Sequence, residues 1–166
     1  MNVDFLTAVK MFFANYTNFS GRSTRAEYWW ATLFCLLVGT VCGAFGRFGT
    51  ILSGVASLAF LLPNIAITIR RLHDTGRSGW WYGAYYLVQI VLLIWMMVGG
   101  LLPVFDVIAG GGTVSPALVM QILKGAALPF VIMFVIGIAW VVLMCIPSGP
   151  DNKYGPNPYG TQENRY

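Results

Sequence analysis

Residues 128–146 read LPFVIMFVIGIAWVVLMCI, nineteen positions without a charge, and Pro147 follows. A helix rises about 1.5 Å per residue, and a hydrocarbon core about 30 Å thick takes roughly 20 apolar residues to cross. This stretch therefore reads as a transmembrane helix. Three further runs satisfy the same arithmetic: 28–45, opened by Trp29 and Trp30; 49–69; and 80–102, opened by Trp80 and Trp81. A tight turn carrying Arg47 separates the first two. Composition points the same way, with 10% charged and 57% apolar residues and a mean hydropathy of +0.69. A soluble domain is about a quarter charged, and a chain this short must keep much of its surface in water. Ten per cent cannot cover that surface, so lipid is the solvent. The fold class is an all-α membrane protein with four transmembrane helices.

Orientation follows from charge. Lys10, Arg22 and Arg25 precede the first run, Arg70, Arg71 and Arg77 lie between the second and third, and Lys153 and Arg165 follow the fourth. Only Arg47 and Lys124 fall on the opposite side, an asymmetry of eight to two. An even number of spans puts both termini together, and the basic side faces the cytoplasm. The net charge of +4 needs no nucleic-acid partner, because the basic residues sit in short clusters beside apolar runs.

Residues 1–26 lack the early apolar core and cleavage site of a secretory signal. Phe5, Leu6, Val9, Phe12, Phe13 and Tyr16 instead recur at helical spacing, with Asn2 or Asp4 placed to cap the start. This is an N-terminal interfacial helix, with packing against the bundle as the alternative. Residues 103–127 form a periplasmic loop containing Gly110, Gly111 and Gly112. Ser115 and Pro116 open a short helix over 116–124, and Gly125 is placed to stop it. The cytoplasmic tail, 147–166, is dense in Pro and Gly and folds back as turns, with Tyr154 and Tyr159 available to pack. The domain is single.

Two segments carry the chemistry. FSGRSTRAEYWW (19–30) and RRLHDTGRSGWW (70–81) both run Gly-Arg-Ser towards a Trp pair that opens a span. With the tail GPDNKYGPNP (149–158), they resemble the YhaH-like bacterial inner-membrane proteins, number 805 among the domains of unknown function. The resemblance covers residues 5–158, although 103–127 looks longer than the family leads one to expect. It implies a bacterial cytoplasmic membrane and a compact helical fold, and it implies no activity.

The candidate binding residues are Arg22, Arg25, Arg70, Arg71, His73, Asp74, Arg77 and Trp80. Arginines beside a turn can hold a phosphate, so an anionic lipid headgroup or a protein partner is the expected ligand. At the end of a span the same arginines also serve as a positive-inside signal, and the Trp pairs as interfacial anchors. Glu27 and Asp74 are expected to form a structural network with the arginines, Glu27 first of all with its neighbours Arg22 and Arg25. His73 and Asp74 could do acid–base work in a lipid-headgroup enzyme, but no nucleophile or metal spacing accompanies them. No catalytic residue, metal or cofactor is therefore assigned. Cys35, Cys42 and Cys145 lie in apolar runs without ligand spacing. Mid-span polar residues are few, which weighs against a channel or transporter acting alone. A homo-oligomer or a membrane-protein partner fits the expected class.

Overall fold

A computed structural model describes residues 3–111, 113 and 115–160. Asn2, Gly112 and Arg165, which figured above as a cap, a loop glycine and a tail charge, lie outside them, as does the tail beyond 160. The described residues are helical, without strands: α1 Phe5–Ala14, α2 Arg25–Gly43, α3 Gly46–Asp74, α4 Trp80–Met96, a π-helical segment Met97–Leu101, α5 Leu102–Ala109 and α6 Pro116–Cys145. Four stretches are long and apolar enough to cross a membrane: Arg25–Gly43, Gly46–Asp74, Trp80–Ala109 and Pro116–Cys145. The chain divides into two compact units, Met1–Trp81 with Met144–Tyr166, and Tyr82–Leu143.

In the first unit, Asp4 occupies the N-cap position of α1, and α1 packs on both α2 and α3. The amphipathic spacing explains how. Ala8 and Phe12 are fully buried, and Phe12 joins Phe34 of α2 and Phe60 of α3 with ring centroids 5.6–6.3 Å apart. Leu6 faces outward, while Phe13 sits at the edge, partly exposed but with its ring 5.8 Å from Phe34 and 6.0 Å from Phe60. The N-terminal helix thus has both an outer apolar face and a packed inner one. Trp30 Nε1 donates to the Val3 carbonyl at 3.1 Å, fastening the start of the chain to α2.

Two local devices shape α2 and α3. Thr24 caps α2, its hydroxyl accepting from the Glu27 N–H and donating to Glu27 Oε1, both at 3.2 Å. Pro63, inside α3, has no N–H to offer the Ala59 carbonyl four residues back. The Tyr16 hydroxyl donates to that carbonyl instead. A proline inside a span is tolerated when another group satisfies what it frees. Between α2 and α3 the turn is as tight as Arg47 suggested: Gly46 has φ +58°, and a Cβ on Gly49 would lie 1.8 Å from the Cys42 carbonyl oxygen.

The second unit departs from the sequence reading. No separate helix over 116–124 ends at Gly125; α6 runs unbroken from Pro116 to Cys145. The reason is the use to which the glycine is put. Gly125 does not have the positive φ of a helix stop. It faces Gly99, and a Cβ there would lie 2.1 Å from the Gly99 carbonyl oxygen. It is a close-crossing glycine, of the kind that lets backbones approach in membranes. The third helical stretch likewise continues past 102 into α5, so the connecting segment is shorter than 103–127.

Candidate functional site

The two Gly-Arg-Ser segments and the tail meet within the first unit, and their hub is the Asp74 carboxylate. Asp74 is the last residue of α3 and is fully buried. Arg22 Nε donates to its Oδ1 at 2.9 Å. Its Oδ2 accepts from Arg71 Nη1 and, at 2.5 Å, from the Ser148 hydroxyl. Both oxygens are engaged by cations or a hydroxyl, the strong class of hydrogen bond.

The arginines also reach backbone carbonyls. Arg22 Nη1 donates to Pro150 O (2.8 Å) and Gly155 O (3.1 Å), and Nη2 to Asp74 O (3.1 Å) and Gly149 O (2.6 Å). With Nε on Asp74, all five of its N–H donors are in use. Arg71 donates through Nε and Nη2 to Met144 O, each at 3.1 Å, and through Nη2 to Ile146 O. The last carbonyls of a helix have no partner within it, so Arg71 caps the end of α6 with a charge of the favourable sign. The side chains of Arg22 and Arg71 are only 2% and 0% exposed.

The tail is folded for this contact. Gly149 N donates to Asp74 O at 3.1 Å, and Asn152 and Gly155 pair their backbones in a short turn. Gly155, at φ +136°, holds a backbone conformation that side chains disfavour, and its carbonyl is one that Arg22 holds. Tyr154 stacks on His73 at 3.8 Å and 6°, and Asn152 Nδ2 donates to His73 O at 3.0 Å. His73 Nδ1 lies 3.2 Å from Gly21 O, an acceptor, so Nδ1 carries the proton. Backbone pairing of Ser23 N to Arg70 O at 3.1 Å completes the join between the two motifs.

The eight candidate residues separate. Arg22, Arg71 and Asp74 form the hub. His73, although adjacent to Asp74 in sequence, goes to Gly21 and Tyr154, so the two do not form an acid–base pair. Arg70 is 5% exposed, and its Nε has no hydrogen-bond partner. Arg25 is exposed and lines a groove of about 320 Å³ with Ala26, Trp29, Trp30 and Leu33. Arg77 is partly exposed, and Trp80 is 84% exposed. The local pairing of Glu27 with Arg22 or Arg25 is absent: among the described residues the ion pairs are those of Asp74. Capping explains this, because Thr24 turns Glu27 back to the start of α2, while Arg22 is drawn to Asp74 and the tail. The Arg70 charge acts on Glu27 from beyond ion-pair distance. Sequence reading did not find Ser148, Asn152 or the carbonyls of Met144 and Ile146. The clustered turn formers of the tail were the available signal. No group of His, Cys, Asp and Glu suited to a metal occurs among the described residues.

A family model described as "Protein of unknown function (DUF805)" matches residues 16–156. The inner membrane protein YhaI of Escherichia coli K12 is 41% identical over 93 residues, covering 52% of this chain and 79% of YhaI. The inner membrane protein YhaH of the same strain is 36% identical over 75 residues, 40% of this chain and 62% of YhaH. The uncharacterized protein YiiR is 29% identical over 161 residues, 90% of this chain and 89% of YiiR. No solved structure matches.

Proposed function

From the premise that this chain belongs to the DUF805 family, with inner-membrane proteins among its relatives, we propose a multi-pass inner-membrane protein, both termini cytoplasmic, that holds anionic phospholipid headgroups at its basic end and performs no catalysis. One observation carries this reading: the arginines divide by exposure. Arg22 and Arg71 are buried and spent on Asp74 and backbone carbonyls, which makes them a structural lock. Arg25 faces outward beside Trp29, Trp30 and Leu33 in an open groove. A guanidinium above an indole-lined apolar wall suits a phosphate above its acyl chains. Arg77, also without a side-chain ion pair among the described residues, adds a second cation. The enzyme reading would need Asp74 free to accept a proton, and its oxygens are occupied.

Orientation rests on the eight-to-two asymmetry of basic residues and on the meeting of the 15–24 segment, the end of α3 and the tail in one place. A reporter inserted at Thr75 is expected to read cytoplasmic and one at Gly111 periplasmic; the reverse pattern overturns the orientation. For the lipid, retained phosphatidylglycerol per folded protein is measured by native mass spectrometry. Each juxtamembrane arginine contributes about 1 kcal/mol, or roughly fivefold in affinity. Arg25→Ala should lose that much, Arg25→Lys should recover part, and His73→Ala should change nothing. Undiminished lipid in Arg25→Ala with Arg77→Ala, at equal melting temperature, removes the headgroup reading.

A further inference from the structure

A second, apolar groove of about 610 Å³ lies in the other unit, between α4 and α6. Phe130, Phe134 and Val141 of α6 stand exposed along it, and Gly137 leaves a notch among them, since a Cβ there would meet nothing within 4 Å. One strongly polar side chain, Gln89 of α4, lines this surface, and its carbonyl oxygen is shielded from solvent without a hydrogen-bond donor. Gln89 lies nine residues beyond Trp80, about 14 Å along the helix, near the middle of a hydrocarbon core about 30 Å thick. At that depth no water is present to satisfy an amide.

We infer that this groove is the docking face for a second copy of this chain, closed by a reciprocal pair of Gln89 amides. The chemistry of the orphaned group selects the occupant. A carbonyl oxygen needs a donor, and a phospholipid acyl chain has none at mid-depth. A second copy related by a two-fold axis along the membrane normal brings its own Gln89 to the same depth. Contacts across such an axis are self-complementary, so each amide can donate N–H to the other's oxygen and accept in return. As it stands the oxygen is covered by its own chain. The last torsion of a Gln side chain is broad, however, and rotation about it turns the edge that carries both the oxygen and an N–H to the groove. Amide hydrogen bonds between membrane helices are an established means of association, and small residues allow the close approach they need. Gly137 supplies the notch, and the aromatic rims of Phe130 and Phe134 supply the knobs.

The full-length chain, fluorescently labelled at its tail and reconstituted in liposomes, tests this through energy transfer as protein is diluted in lipid. Wild type should dimerise. Gln89→Leu should weaken the dimer roughly three- to thirtyfold, the range expected for a membrane amide bond. Gly137→Leu fills the notch, and its Cβ meets no atom of its own chain within 4 Å, so it should weaken the dimer; an equal melting temperature is required of the variant before its dimer is scored. It therefore decides the matter even if Gln89→Leu misfolds. A monomer at every dilution, or a dimer indifferent to Gly137→Leu, overturns the proposal. Native mass spectrometry showing a retained lipid lost in Gly137→Leu, with no doubled subunit mass in wild type, overturns it in favour of lipid.

Discussion

The Asp74 hub and the Gly99–Gly125 crossing show two ways of holding membrane helices. At the hub, specificity comes from direction: two guanidinium groups and a hydroxyl converge on one carboxylate, and the same guanidinium groups select six backbone carbonyls across the tail, the end of α3 and the end of α6. At the crossing nothing is charged. Two backbones approach because both residues lack a Cβ, and Gly100 sits beside Ala126 in the same manner, its Cβ position 3.1 Å from Ala126 Cβ. The difference follows from the surroundings. A buried ion network is sustainable where a folded tail can wall off water and supply carbonyls. An apolar span offers no such groups, so contact area and dispersion must serve. The first arrangement tolerates little change in chemistry, the second little change in size.

That contrast can be broken from either side. The largest effect belongs to the hub. Asp74→Ala leaves two buried guanidinium groups without their anion, and removing one partner of a buried pair costs about 3–5 kcal/mol. Asp74→Asn should recover only part of the loss, because it restores shape without charge. Thermal unfolding of the detergent-solubilised protein reads both, and a melting temperature unchanged by Asp74→Ala would mean that the hub is ornamental. At the crossing, Gly125→Leu must push α6 away from Gly99 and should cost about 1–3 kcal/mol, as overpacking does. Gly125→Ala should already be felt, since its Cβ would sit 2.1 Å from a backbone oxygen. Full tolerance of Gly125→Leu would show that the two backbones are not in contact.

Lipid makes some features easy to read and hides others. The four spans were legible because a fixed hydrocarbon thickness demands uncharged runs of fixed length, and nothing in 28–45 or 128–146 competes with that demand. Turn formers around Gly155 announced a folded tail, and Tyr154 was a legible packing residue. Gly125 was misleading because glycine serves two purposes, a positive φ at a helix end or a close approach in its middle, and the letter is the same for both. Glu27 was misleading because proximity in sequence suggested Arg22 and Arg25, whereas the Thr24 cap turned it away. The carbonyls of Met144, Ile146 and Gly149 were invisible to pattern reading, since every residue has one. A pairing of Asp74 with arginines was expected, but the carbonyl contacts that bury Arg22 and Arg71 were not, so both also stood among the candidate headgroup cations.

Amide hydrogen exchange in Arg22→Gln tests the lock most directly. This variant removes the guanidinium contacts to Gly149 O, Pro150 O and Gly155 O while leaving Arg71 and Ser148 on Asp74. Segments that lose their buried hydrogen bonds open locally at a free energy far below that of global unfolding. If Arg22 holds the tail down, the amides of Gly149, Asn152 and Gly155 should exchange about tenfold faster or more, while those of α6 between Phe130 and Val142 keep their wild-type rates. Unaltered tail protection in a folded Arg22→Gln protein would contradict the account.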